Sequence, residues 1–382
     1  MRKLRPLNKQ VIVITGASSG IGRATALAAA TKGARVVLAA RGADALDELA
    51  RKIQVNGGIA HAVIADVSDH EAVANLAAEA LSQFGTIDTW VNNAGVSISG
   101  RLEDIPVEDA RRLFDVNFWG MVHGSMVALP ILKAKGGALI NMGSITSDVA
   151  GPFMGMYSAS KQAIKGFTDA LRIELEMEDA PVSVTLIKPG PVATPILEHQ
   201  RNYLDRKATM PPPFYMPEDV AAAILHAAQH PSRDLFVGGA TQLGTMAAHA
   251  MPHVSDKVFA AVGPKTFRTR KAAGVEADNL YAPSRHNAVH GDTRGHVPRR
   301  SFYTRARTSP GITSLLAVGA VTAGLLLKAA LSPIKTGRAG PASPPPDSNA
   351  TDANATTDSV LEKMEDAQET AAKLREQEGG YQ

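Results

Sequence analysis

Val11-Ile12-Val13-Ile14-Thr15-Gly16-Ala17-Ser18-Ser19-Gly20-Ile21-Gly22-Arg23 is the stretch on which the fold turns. A short Val/Ile run stops at Thr15, and three glycines follow within seven positions. A helix-length pattern, ATALAAATKG, comes next. β-Branched apolar residues in a run of this length predict a buried strand, and glycines at its end allow a tight turn and a close approach by a ligand's backbone-contacting group. The N-terminus of the following helix offers free N–H groups and a partial positive charge, which suits a pyrophosphate. An ordinary Gly-rich strand–helix turn is the plain alternative. Placement after the first strand of a βαβ pattern favours the nucleotide.

Moving outward, the strand–helix rhythm repeats. Further strands are predicted at 35–40 (RVVLAA), 60–67 (AHAVIADV), 87–95 (IDTWVNNAG), 137–144 (GALINMGS), 182–190 (VSVTLIKPG) and 234–239 (DLFVGG). Helix-length segments such as DHEAVANLAAEALSQFG lie between them. Strand then helix, repeated, implies an α/β fold: a doubly wound parallel sheet of seven strands with helices on both faces. The rhythm assigns residues 1–240 to one domain.

The rest of the chain reads differently. Residues 241–308 form a partly helical basic extension, broken near Pro252; from Pro264 to Thr308 it carries ten Lys/Arg against three Asp/Glu and looks weakly ordered. Residues 310–332 contain Ile312–Leu327, 16 residues without a charge. A membrane span needs about 20, so this segment reads as a transmembrane or anchor helix, with a buried or partner-binding helix as the alternative. The arginines before it (Arg299, Arg300, Arg305, Arg307) would keep the 1–240 domain on the cytoplasmic side of a membrane. Residues 333–382 read as a disordered acidic tail with one short helix.

Composition sets limits. The chain of 382 residues is 45% hydrophobic and 20% charged, enough to bury a sizeable core. It contains no cysteine, which excludes disulfides, thiolate metal sites and a cysteine nucleophile. None of the 11 histidines stands in a ligand-spaced cluster with carboxylates, so no metal site is assigned. A small net charge of +3 gives no reason to expect a nucleic-acid partner.

The second strand supplies a clue to the nucleotide. A site for NAD places an acid at the end of this strand, roughly 20 residues after the glycines, to hold the ribose 2′-hydroxyl. Here the strand ends Leu38-Ala39-Ala40-Arg41. The acid is absent and a guanidinium suits a 2′-phosphate, so NADP(H) is expected over NAD(H). Arg23 is a second candidate cation, and an idle surface role for Arg41 is the alternative.

Catalytic residues are suggested by Tyr157 and Lys161, four apart in YSASKQAIKGFTDALRIELE. That spacing places both on one helix face. An ammonium beside a phenol favours the phenolate and would lower the tyrosine from its usual pKa of about 10. Such a group exchanges a proton with a substrate oxygen. Ser144 lies at the carboxyl end of the fifth strand, where open parallel sheets bind ligands, and can orient that oxygen. Asn117, in FDVNFWG, can bridge a water to Lys161. Each of these residues alone has a bland explanation as a packing or surface group. Their joint occurrence on suitable elements is harder to obtain by accident.

With these residues in place, 9–240 resembles the short-chain dehydrogenase/reductase family of the compact, single-domain kind. The matching pieces are TGASSGIG (15–22), ADV (65–67), NNAG (92–95), Asn117, Ser144, YSASK (157–161) and PGPVAT (189–194). The resemblance implies a Rossmann fold and a hydride transfer between a nicotinamide and the carbonyl or alcohol carbon of a small, lipophilic substrate, with Tyr157 as acid/base. It implies catalytic roles for Asn117, Ser144, Tyr157 and Lys161. It implies cofactor contacts at Gly16, Ser18, Ser19, Gly20, Ile21, Gly22, Arg41, Asp66, Val67, Asn93, Ala94, Gly95, Tyr157, Lys161, Pro189, Gly190, Val192 and Thr194. A homo-oligomer is a further implication. The loop 196–220 should select the substrate, with Tyr203, Met210, Phe214, Tyr215 and Met216 as candidate pocket walls. A catalytically silent dinucleotide sensor, or an isomerase or lyase built on the same tyrosine, are the competing readings.

Overall fold

The computed structural model describes residues 4–273, 278–284 and 287–292. The expected apolar helix at 310–332 and the acidic tail at 333–382 lie outside the described residues. Seven parallel strands form the main sheet: β1 (Val11–Thr15), β2 (Arg35–Ala40), β3 (Ile59–Ile64), β4 (Thr89–Asn92), β5 (Gly137–Met142), β6 (Val182–Pro189) and β7 (Asp234–Val237). Their order across the sheet is β7-β6-β5-β4-β1-β2-β3. Every strand expected from the sequence is present, and β3 and β4 are trimmed where Ala65–Val67 and Asn93–Gly95 become loops.

Both faces of the sheet are covered, which is why its strands are apolar without alternation. Ile12 and Ile14 of β1 face a layer made by α1 (Gly20–Thr31), α2 (Ala43–Val55) and α7 (Pro217–Ala227). Val11 and Val13 of the same strand face α3 (His70–Phe84), α4 (Val107–Phe114), α5 (Gly120–Lys135) and α6 (Gly155–Met177). All four side chains are fully buried. Successive residues of a strand point to opposite faces, so one short run nucleates two cores.

The described residues just after 240 pack back onto the sheet domain. The helices α8 (Gly239–Ala250) and α9 (Pro252–Thr266) meet at Met251, with Pro252 at the first turn of α9 where its missing N–H costs nothing. The break expected near Pro252 is therefore there. The strand Arg268–Ala272 then pairs antiparallel with Arg206–Ala208, back on the catalytic domain. Within the basic stretch, Leu280 is fully buried in the core beside α4, and residues 293–308 lie outside the described residues. Among the described residues no helix is long and apolar enough to cross a membrane.

Candidate active site

The strand order reverses between β1 and β4, and a crevice opens beyond the carboxyl ends of such neighbours. The glycine turn follows β1 on one side of this crevice. Gly16 is left-handed at φ 66°, and a Cβ there would lie 2.7 Å from the Ala94 Cα. A Cβ on Gly22 would lie 2.1 Å from the Gly16 carbonyl oxygen, so α1 can begin only where that residue has no side chain. The Asn93 and Ala94 N–H groups donate to Thr15 Oγ1 at 3.0 and 3.1 Å, and Asn93 Nδ2 donates to the Thr15 carbonyl at 2.9 Å. The segment after β4 thus clamps the turn after β1. Asn92 points away from the crevice, donating to Asn141 and Ser125 between strands and α5.

A cavity of about 170 Å³ lies along the turn. Gly16, Ser18, Ser19, Gly20, Ile21, Arg41, Asp66, Val67, Asn93, Ala94, Gly95 and Thr194 all line it, and Gly22 is packed behind it. Burial alone would raise the Asp66 carboxyl, but hydrogen bonds from Arg112 and Ser68 outweigh it and hold the group below its ordinary value. Arg23 does not reach the cavity; it is buried and paired with Glu48 at 2.6 Å. Arg41 lines the cavity but is not an idle surface residue. Its guanidinium donates to the carbonyls of Asn279 (2.5 Å), Ala282 (3.1 Å) and Leu280 (3.3 Å).

A second cavity, about 370 Å³, shares Ile21, Asn93, Gly95, Thr194 and Ile196 with the first, so the two form one cleft. Ser144, Tyr157, Lys161, Pro189, Gly190 and Val192 line it. Ser144 caps a single 3₁₀ turn (Ile145–Ser147): its Oγ accepts from the Thr146 N–H at 3.1 Å, and its hydroxyl also hydrogen-bonds the Tyr157 phenol. Lys161 is almost fully buried on α6, donates to the Met142 carbonyl at 2.9 Å, and stands 5.6 Å from the Tyr157 ring centroid.

The titration of this pair departs from expectation. Burial pushes the Tyr157 phenol up to about 12, against a lowering by the Ser144 hydroxyl. Burial also depresses Lys161 to about 8. The expected lowering of Tyr157 by Lys161 is thus corrected for this arrangement. Desolvation penalises both charged forms.

Asn117 occupies a π-helical turn, Asp115–Trp119, wedged between α4 and α5. Such bulges aim a side chain that a regular helix would bury differently. Asn117 Oδ1 accepts from the Val96 N–H at 2.8 Å, and Nδ2 donates to the Val96 carbonyl (3.0 Å) and Ser160 Oγ (3.1 Å). Ser160 in turn donates to the Tyr157 carbonyl at 2.7 Å. Asn117 lines neither cavity; it ties the loop after β4 to the helix carrying Tyr157. A Cβ on Gly95 would sit 3.3 Å from Asn117 Oδ1 and 3.8 Å from Lys161 Nζ, so the missing side chain leaves the line between them open.

Of the five pocket walls expected from 196–220, Met210 and Tyr215 line the larger cavity. Phe214 is buried behind it, Met216 does not line it, and Tyr203 bonds to Asp109 instead. Phe259 and Phe267, from α9 and its end, are walls that the sequence reading missed. Their only signal is two aromatics in a stretch without clear periodicity.

The sequence profile for short chain dehydrogenases matches residues 10–204. An uncharacterized oxidoreductase, YxnA of Bacillus subtilis, is 42% identical over 323 residues, covering 84% of this chain and 91% of that protein. Mouse dehydrogenase/reductase SDR family member 7B is 38% identical over 193 residues, 49% of this chain and 59% of that one. Among solved structures, a short chain dehydrogenase/reductase from Burkholderia phymatum in complex with NAD superposes with a TM-score of 0.60 at 28% identity, covering 66% of this chain and 97% of that chain. An alcohol dehydrogenase from Thermococcus sibiricus complexed with 5-hydroxy-NADP superposes at 0.53 with 29% identity, over 59% and 95%. With this sheet, this crevice and these relatives, the chain belongs to the short-chain dehydrogenase/reductase family and is an oxidoreductase.

Proposed function

We propose that the protein is an NADP(H)-dependent oxidoreductase acting on the carbonyl or alcohol carbon of a small lipophilic molecule. One observation carries this reading: Ser144, Tyr157 and Lys161 share a wall of an apolar cavity that continues into the glycine-turn groove. The groove fits a dinucleotide. Its floor is bare backbone at Gly16, and a buried carboxamide oxygen, Asn279 Oδ1, has no partner there. The glycine turn and Asn93–Gly95 would hold the pyrophosphate and ribose, Arg41 the 2′-phosphate, and Pro189–Thr194 the nicotinamide end. The bound nicotinamide supplies the hydride.

The chain's own residues handle the proton and the geometry. Ser144, whose hydroxyl bonds the Tyr157 phenol, orients the substrate oxygen beside it. Tyr157, raised by burial, is protonated at neutral pH and donates its proton to that oxygen in the reducing direction. Lys161 holds positive charge beside the ring and steers the ribose. Asn117 keeps the Tyr157 helix and the loop at Val96 in fixed register. The walls Met210, Tyr215, Phe259 and Phe267 exclude water and favour an apolar substrate. A silent sensor has no use for this arrangement, and the oxidoreductase relatives argue against it. The reading is tested by following NADPH absorbance against ketones, aldehydes, quinones and sterols. Oxidation of NADPH with an apolar carbonyl compound supports it; absence of turnover with every class removes it.

A further inference from the structure

The groove has a wall from outside the residues that the family profile matches. Asp278–Ser284 follows the last described strand and contributes Asn279, Pro283 and Ser284 to the cavity lining, with Arg41, Gly42 and Asp66. It is tied down at many points. Leu280 is fully buried, Asp278 takes a hydrogen bond from Arg201 at 2.8 Å, and Tyr281 donates to Asp109 at 2.8 Å. Arg41 donates to three of its carbonyls, and the Asn279 N–H donates to the His199 carbonyl at 2.8 Å. Further on, the Ala288 carbonyl accepts from the N–H of Gly20 in the glycine turn at 3.0 Å.

Within this anchored segment one atom is left over. Asn279 Oδ1 is buried and accepts no hydrogen bond. A buried carboxamide oxygen without a donor costs about 1–3 kcal/mol, a cost that a ligand donating to it would remove. We propose that Asp278–Ser284 is a strap that closes the adenosine half of the dinucleotide site, with Asn279 Oδ1 accepting a hydrogen bond from the cofactor. This rests on the dinucleotide reading above. The donors available on that half of the molecule are a ribose hydroxyl and the exocyclic adenine amine. Because the strap crosses the opening, cofactor exchange requires it to lift.

Two measurements on the full-length protein test the proposal. The first is dinucleotide affinity by titration calorimetry. Asn279→Ala is expected to weaken binding by about fivefold, with the melting temperature of the ligand-free protein within 1 °C of wild type. Unchanged affinity overturns the contact. Nicotinamide hypoxanthine dinucleotide, which lacks the amine, separates the two donors: weakened binding to wild type assigns the amine, unweakened binding the ribose. The second measurement uses a lock. A Cβ on Gly42 would lie 3.4 Å from the Pro283 Cβ, close to the spacing of about 3.5–4.5 Å that a disulfide spans. The chain has no native cysteine, so G42C/P283C makes a single bond across the groove. Oxidised after cofactor loading, it should release cofactor at least tenfold more slowly by stopped flow than the same protein reduced. Equal release rates, or expulsion of the cofactor on oxidation, overturn the strap. Wild-type protein that binds no nicotinamide dinucleotide would instead defeat the functional reading itself.

Discussion

The Arg41 guanidinium donates to the Asn279 carbonyl at 2.5 Å, joining the end of the second sheet strand to a residue 238 positions later. A cation at the end of β2 therefore does two things. Under the proposed NADP(H) reading it meets the 2′-phosphate, and it holds the segment that lines the groove beside it. Burial lowers its basicity, but the guanidinium stays charged at every working pH.

NADPH should bind more tightly than NADH, and Arg41→Ala should weaken NADPH binding about tenfold or more while changing NADH binding less. Charge-assisted hydrogen bonds are worth about 1.5–3 kcal/mol. The same variant should melt at a lower temperature, because three carbonyls lose their donor. Calorimetric titration with both cofactors checks the first claim. A wild-type preference for NADH would remove the phosphate role of Arg41 and leave only its anchoring role.

Tyr157→Phe should cut turnover about 10²- to 10⁴-fold, the usual contribution of a positioned proton donor. Cofactor affinity should change less than twofold, since the ring still fills its place. Steady-state kinetics together with cofactor titration checks this; turnover at wild-type levels would place the proton donor elsewhere.

Lys161→Met should stabilise the cofactor-free protein by about 1–3 kcal/mol at pH 7 while abolishing turnover. Burial depresses this ammonium to about 8 from its ordinary 10.5, so the folded state carries a desolvation cost below pH 8. Between 8 and 10.5 the unfolded chain still binds the proton that the folded one has lost. Wild-type stability must then rise with pH through that window, and the advantage of the variant must shrink. Thermal melts from pH 7 to 10.5 read the difference. A variant less stable than wild type throughout would show that the buried ammonium is not a liability.

Gly22→Ala should cost about 3 kcal/mol or more and abolish dinucleotide binding, since its Cβ would lie 2.1 Å from a backbone oxygen that cannot move without opening the turn. Gly244→Ala is the control. It lies within α8, nothing comes within 4 Å of its Cβ, and replacing a helical glycine should add about 0.5–1 kcal/mol. Denaturant melts of both variants check the contrast; equal effects would mean the turn tolerates a side chain.

Phe259→Ala should raise the KM of an apolar substrate with little change in kcat, because the ring is an apolar wall of the cavity and carries no proton-transfer group. A selective loss of kcat would give the ring a part in the chemistry rather than in binding.

Local chemistry alone located much of this protein. The run Val11–Thr15, the three glycines and the i, i+4 pair Tyr157 and Lys161 depend on near neighbours for their meaning, so strands, turn and helix face could be read directly. Other facts arise from residues far apart in sequence. The desolvation of Tyr157 and Lys161 reverses what their spacing implied, because proximity of charges predicts attraction while burial sets its cost. The π-turn at Asn117 changes which groups its amide reaches. The partner of Arg41, the aromatic walls Phe259 and Phe267, and the open acceptor of Asn279 follow only from the return of the chain over its own crevice. Pattern fixes the elements because each is stabilised by interactions a few residues apart. The cover over the cleft has no such periodicity, being held by single side chains against distant carbonyls, and folding alone brings those together.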